Sequence, residues 1–191
     1  GIPTPNITAA IHAQEWSALN WRRVSWLRFV HALHSIDGSA TMTPSAVQNN
    51  GASAQRTMKN VALGYLMQLD DTEMVPLCVE QFEQSDNMTD TSSALRLLVG
   101  SSAQAAQPAK RKALLDFYNR WVDEALVIDL WFTIQCSCKL SGTLDTVKAL
   151  MSHEAFDIKN PNRMRSLVVG FASQNNVNFH QASGAGYVFL A

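Results

Sequence analysis

The sequence predicts an all-α protein, an irregular α-solenoid or superhelix of stacked antiparallel helix pairs. Three observations carry that reading. Apolar residues recur at i, i+3, i+4 and i+7 along most of the chain, the spacing of a helix with one buried face. The amphipathic stretches are short and separated by short polar breaks, as in helices that fold back on one another in layers. The chain has 191 residues, 47% hydrophobic and 16% charged, which is enough to bury a real core. No strict repeat is visible, hence the expected irregularity.

The first fifty residues read as an N-terminal segment apart from the rest. Residues 1–8 suit an extended or mobile start. Trp16 to Leu33 suits an amphipathic helix, with Trp16, Leu19, Trp26, Phe29, Val30 and Leu33 apolar and Arg22, Arg23, Arg28, His31 and His34 on the same stretch. Trp16, Arg22, Arg23 and Trp26 are its candidate partner-binding residues, for another subunit or, with less support, a membrane surface. The alternative is an ordinary packed helix with a solvated basic face. Thr41 to Ala54 is polar, contains Asn49-Asn50-Gly51, and reads as a linker.

Residues 51–191 read as the helical domain. Met58, Val61, Ala62, Tyr65, Leu66 and Leu69 form the first buried stripe. Val75, Cys78, Val79 and Phe82 form the second, with Pro76 tolerable only in a first turn. A helix with Ala94, Leu95 and Leu98 follows, with Thr89 or Asp90 as candidate cap and Gly100 as its end. Ser101 to Pro108 reads as a loop, and Lys110 to Val122 as a helix with Leu114, Phe117, Tyr118 and Trp121 inward. Val127, Leu130, Trp131 and Ile134 make the next stripe, broken at Ser141-Gly142. Thr143 is the expected cap of a helix with Leu144, Val147, Leu150 and Met151 inward. Asn160-Pro161 has the chemistry of a helix start, a capping side chain followed by proline at the first position, and Met164, Leu167, Val168 and Phe171 supply the buried face. Gly184 and Gly186 open a last segment.

A formal net charge of −1 points away from nucleic acid as a partner. Cys78, Cys136 and Cys138 are odd in number and lack the spacing of a disulfide framework or zinc site, so they read as free thiols in a reducing, intracellular compartment. No run reaches the ~18 apolar residues of a membrane span. The five histidines show no metal-ligand spacing beyond His31 and His34, and Asn87-Met88-Thr89 reads as a helix-entry turn rather than a glycosylation site.

Four stretches, in order, carry a family resemblance: Asn87-Met88-Thr89-Asp90 after Gln81-Phe82; Phe117-Tyr118-Asn119-Arg120-Trp121 with Leu126-Val127-Ile128-Asp129 and Trp131-Phe132; Asn160-Pro161-Asn162-Arg163-Met164-Arg165-Ser166-Leu167 through Gly170 and Phe171; and Phe179-His180 with Gly184, Gly186 and Tyr187. Together, over roughly Ala54 to Leu190, they resemble the C-terminal helical domain of bacterial-type aminopeptidase N, a zinc-dependent gluzincin peptidase. The resemblance implies a superhelical domain that closes over a catalytic domain and limits access to it. It also implies zinc, held in that other domain by an H-E-x-x-H motif and a later Glu. Here His153-Glu154 is the only His-Glu pair and no His follows at the required position, so no metal or catalytic site is expected in this chain. Arg165 matches a family arginine that faces the substrate channel. Arg163 and Asn162 are further channel candidates, with binding to neighbouring acidic side chains or helix ends the alternative for both arginines.

The chain departs from the family pattern at Leu130, where lysine is usual, and at Ser183 and Ala185, where aspartate and serine are usual. Polar groups lost while glycines and aromatics persist suit a fold kept without its full function. The family domain continues past the Gly-Tyr segment, so residues 51–191 read as truncated at their C-terminal end, with an apolar face that needs a partner. Two functions follow. One is the C-terminal portion of a zinc aminopeptidase, acting beside a catalytic domain on peptides. The other is a non-catalytic, aminopeptidase-derived subunit of a larger assembly.

Overall fold

The structure is a computed structural model and describes residues 46–68 and 74–191. The chain divides into two compact units, Gly1–Ala62 and Leu63–Ala191. The Trp/Arg-rich segment, with Trp16, Arg22, Arg23 and Trp26, lies outside the described residues.

Every regular element among the described residues is helical, as the periodicity predicts. The helices are α1 (Ala46–Met67), α2 (Met74–Gln84), α3 (Met88–Gly100), α4 (Ala106–Trp121), α5 (Ala125–Cys136) and α6 (Thr143–Leu150). One further helix is composite. It opens as α7 (Pro161–Met164), widens into a π-turn over Arg165–Val169 and closes as α8 (Gly170–Gln174). Two short helices, α9 (Asn176–Phe179) and α10 (Ala185–Leu190), complete the chain. Packing runs mainly between sequence neighbours, α2 on α3, α3 on α4, α4 on α5 and α5 on α6. That is the local pattern of a solenoid. Helix α5 also packs along the π-turn and is the hub of the second half.

The core follows the stripes with some shifts. Phe82, Leu95, Leu98, Phe117, Ile128, Phe132, Ile134, Val147, Leu167 and Phe171 are almost wholly buried. Helix α5 is buried on more than one face, including Gln135 and Cys136, which suits its place between neighbours on several sides. The first stripe is corrected. Among the described side chains of that helix Leu63 and Met67 are the buried ones, whereas Tyr65 is 69% exposed.

Several boundaries also differ from expectation, for local reasons. Asn87, not Thr89 or Asp90, caps α3, its side chain accepting the Asp90 N–H at 2.9 Å. Helix α4 starts at Ala106 rather than Lys110, with Pro108 in its first turn, where no intrahelical N–H is needed. The residue before α6 is Gly142, at φ +83°, a left-handed conformation that a side chain would strain. Thr143 does not cap; its hydroxyl lies 2.8 Å from both Cys138 O and Leu140 O and closes the preceding turn. Asn160 caps α7 as predicted, accepting from the Asn162 and Arg163 amides, with Pro161 next in line.

At the end of the chain, α10 is seated by a close backbone approach. A Cβ on Gly186 would lie 2.2 Å from Phe179 O. The His180 Nδ1 and Tyr187 hydroxyl, 2.6 Å apart, tie the same two segments together. The Ser183 Oγ accepts the Ala185 N–H at 3.4 Å in the turn before this helix.

Candidate functional site

The capped start of α7 brings Asn162, Arg163 and Arg165 to one helix end, and the three residues have different fates. Arg163 points inward. Its Nε donates to Ala155 O at 3.0 Å and its Nη1 to Ala125 O at 2.9 Å. Nη1 also pairs with the Asp129 carboxylate, and both side chains are largely buried, at 11% and 16% exposure. The guanidinium lies 5.7 Å from the centre of the Phe132 ring. Ser166 Oγ sits 3.4 Å from Asp129 Oδ1 and 3.0 Å from Arg163 O. Arg163 thus has the neighbouring-acid role, not a free one, and Asp129 is its partner.

Arg165 is the converse. It is exposed and has no partner among the described residues. It is the residue after the four-residue α7, so it lies beyond the first turn and its unpaired amides. Asn162 is exposed, with its backbone N–H given to the Asn160 cap.

Beneath Arg165 the helix is not α-helical. The Gly170 N–H, which in an α-helix would meet Ser166 O, is shared instead between Arg165 O and Leu167 O. Ser166 O accepts from the Thr133 hydroxyl at 3.2 Å and the Cys136 thiol at 3.3 Å, both on α5. Burial pushes the Cys136 thiol up to about 12, partly offset by the charge of Arg96, so it stays protonated and able to donate.

The His153-Glu154 pair does not fit a metal. His153 Nδ1 accepts the Ala155 N–H at 3.2 Å, and its ring stands among Tyr118, Trp131 and Phe132. Glu154 Oε1 accepts from the Tyr118 hydroxyl at 3.1 Å, and burial, then Glu154 itself, raises the Tyr118 pKa. Among the described residues no three His, Cys, Asp or Glu side chains converge as metal ligands. A cleft of about 630 Å³, lined by Leu97, Ser102, Cys138, Lys139 and others, includes no residue of the composite helix.

Sequence reasoning singled out Arg165 and Arg163 but missed Asp129 as the partner of Arg163, and Thr133 and Cys136 as the donors to Ser166 O beneath Arg165. Asp129 stood inside a noted motif; its pairing 34 residues away had no local signal.

The chain matches the family model described as a domain of unknown function (DUF3458_C), ARM repeats, over residues 11–191. That range begins upstream of the motif-bearing stretch and takes in the Trp/Arg-rich segment. The chain is similar to the aminopeptidase N of Escherichia coli strain K12, 40% identical over 139 residues, which are 72% of this chain and 15% of that protein. It is similar to the aminopeptidase N of Caulobacter vibrioides, 34% identical over 165 residues, 86% of this chain and 18% of that protein. In structure it resembles Legionella pneumophila aminopeptidase A, solved in complex with aspartic acid. The TM-score is 0.71 at 26% identity, covering 97% of this chain and 22% of that one. The chain thus spans less than a fifth of the length of these curated relatives. Helical stacking, ordered motifs and these likenesses converge: the chain belongs to the all-α ARM-repeat family that forms a C-terminal domain of aminopeptidase N.

Proposed function

We propose that this chain is the C-terminal helical portion of a zinc aminopeptidase that removes N-terminal residues from peptides, and that it caps the active site and lines the peptide channel. Zinc and the hydrolytic groups belong to a separate catalytic domain, which is its partner. The observation that carries the reading is the contrast between the two arginines. Arg163 is built into the fold, while Arg165 is exposed and unpaired. A free guanidinium on a well-anchored helix is suited to the carboxylate of a short peptide, which it can meet with two parallel N–H donors.

The test uses the whole polypeptide that contains this chain. It should hold zinc and hydrolyse aminoacyl reporter substrates. Arg165→Met should raise KM about tenfold for short peptides with a free C-terminal carboxylate, and leave the uncharged reporters unchanged. A polypeptide with neither zinc nor hydrolysis would instead support the non-catalytic subunit, a reading to which Leu130, Ser183 and Ala185 lend some support. No described helix is long and apolar enough to cross a membrane.

A further inference from the structure

The π-turn at Arg165–Val169 falls directly under the one free arginine of that helix end. It is not an isolated irregularity. The carbonyl that Gly170 bypasses, Ser166 O, is met from outside the helix by two donors of α5, Thr133 Oγ1 and Cys136 Sγ. Both donors are shared: Thr133 Oγ1 also reaches Asp129 O at 2.9 Å, and Cys136 Sγ reaches Thr133 O at 3.4 Å. Gly170 completes the fit. A Cβ there would stand 3.1 Å from Cys136 Sγ and 3.2 Å from Arg165 O, the acceptor of the π bond. A π-turn inserts extra backbone into one turn, so it changes the direction of the flanking side chains. Here it leaves Ser166, Leu167 and Val168 buried and Arg165 in solvent.

We propose that Thr133, Cys136 and Gly170 are positioning residues: they hold the π-turn open, and the π-turn fixes the direction in which Arg165 meets the peptide carboxylate. This rests on the channel role of Arg165 given above. The geometry favours it over an incidental bulge, because the partner helix supplies donors to the bypassed carbonyl.

The experiment uses the intact, metal-loaded polypeptide and a matched pair of short peptides, one with a free C-terminal carboxylate and one amidated. Thr133→Val removes the hydroxyl at nearly constant shape. Gly170→Ala presses on the turn from the other side. Each should raise KM for the free acid about tenfold, leave kcat within about twofold, and leave the amide unaffected. Thr133→Ser should restore wild-type behaviour. Three results overturn the proposal. If Arg165→Met separates acid from amide but Thr133→Val and Gly170→Ala do not, the positioning role fails and the channel role stands. If Arg165→Met does not separate them, the channel role fails and the proposal with it. If the α5 and Gly170 variants weaken acid and amide alike, the effect is structural. Should Gly170→Ala fail to fold, the valine and serine variants at Thr133 decide.

Discussion

Replacing Arg163 with leucine removes three charged donors at once, those to Ala125 O, Ala155 O and Asp129. The Asp129 side chain is 16% exposed, and without Arg163 the Ser166 hydroxyl at 3.4 Å is its remaining side-chain partner among the described residues. Breaking a buried pair from one side costs about 3–5 kcal/mol, because the remaining charge is uncompensated. Two features move the value to the low end of that range. The pair keeps some contact with solvent, and Ala125 is exposed, so water can reach its carbonyl. We expect about 3 kcal/mol. With a urea m-value of about 2 kcal/mol/M, the unfolding midpoint falls by about 1.5 M. The assay is urea unfolding followed by circular dichroism, on Arg163→Leu, Asp129→Leu and the double variant. Because the double variant leaves no unpaired charge, its loss should fall short of the sum by at least about 1 kcal/mol. A midpoint shift under about 0.5 M for Arg163→Leu, or a strictly additive cycle, would show that the pair does not anchor this helix.

Asn160→Ala deletes the cap that serves the Asn162 and Arg163 amides, and should cost about 1 kcal/mol, read as a drop in Tm. Gly186→Ala forces a methyl into Phe179 O, and should cost about 1–3 kcal/mol, with faster hydrogen exchange confined to Ala185–Leu190 and Asn176–Phe179. Burial holds the Cys78 and Cys136 thiols at about 12, so native protein should label far more slowly at these two positions than urea-unfolded protein, as mass spectrometry of alkylated peptides will show. The folded state holds these protons more tightly than the unfolded state, so this stability is intact below about pH 9 and is lost as pH rises towards 12, which a Tm series in alkaline buffers will reveal.

What was legible in the sequence was local. The 3.6-residue period found the helices, because burial on one face repeats within a few residues. Asn160-Pro161 was readable because both parts of the signal act within one turn. The misreadings came from competing local signals. Asn87, Thr89 and Asp90 all have capping chemistry, and the fold uses the first. Pro108 reads as a loop residue in sequence, although proline is equally at home in a first turn. Tyr65 belonged to the right period but the wrong face, since Leu63 and Met67 lie inward. The site was legible only in part. Arg165 was visible through a motif. The Asp129 partner of Arg163 and the α5 donors to the π-turn lie 30 to 34 residues away, and no periodicity reports contacts across such a span.

Arg163 also has a mechanical meaning. In a stack of helices that touch mainly their sequence neighbours, bending is resisted chiefly at each junction. One guanidinium here grips the start of α5, the turn at Ala155 and, through its own backbone, the start of α7. The entry to α5 and the entry to α7 are thereby riveted by a single residue. The stack should be stiffest where Arg165 is mounted, so that its guanidinium swings on a fixed base. Backbone amide order parameters that are uniformly high from α5 through the π-turn would register that stiffness.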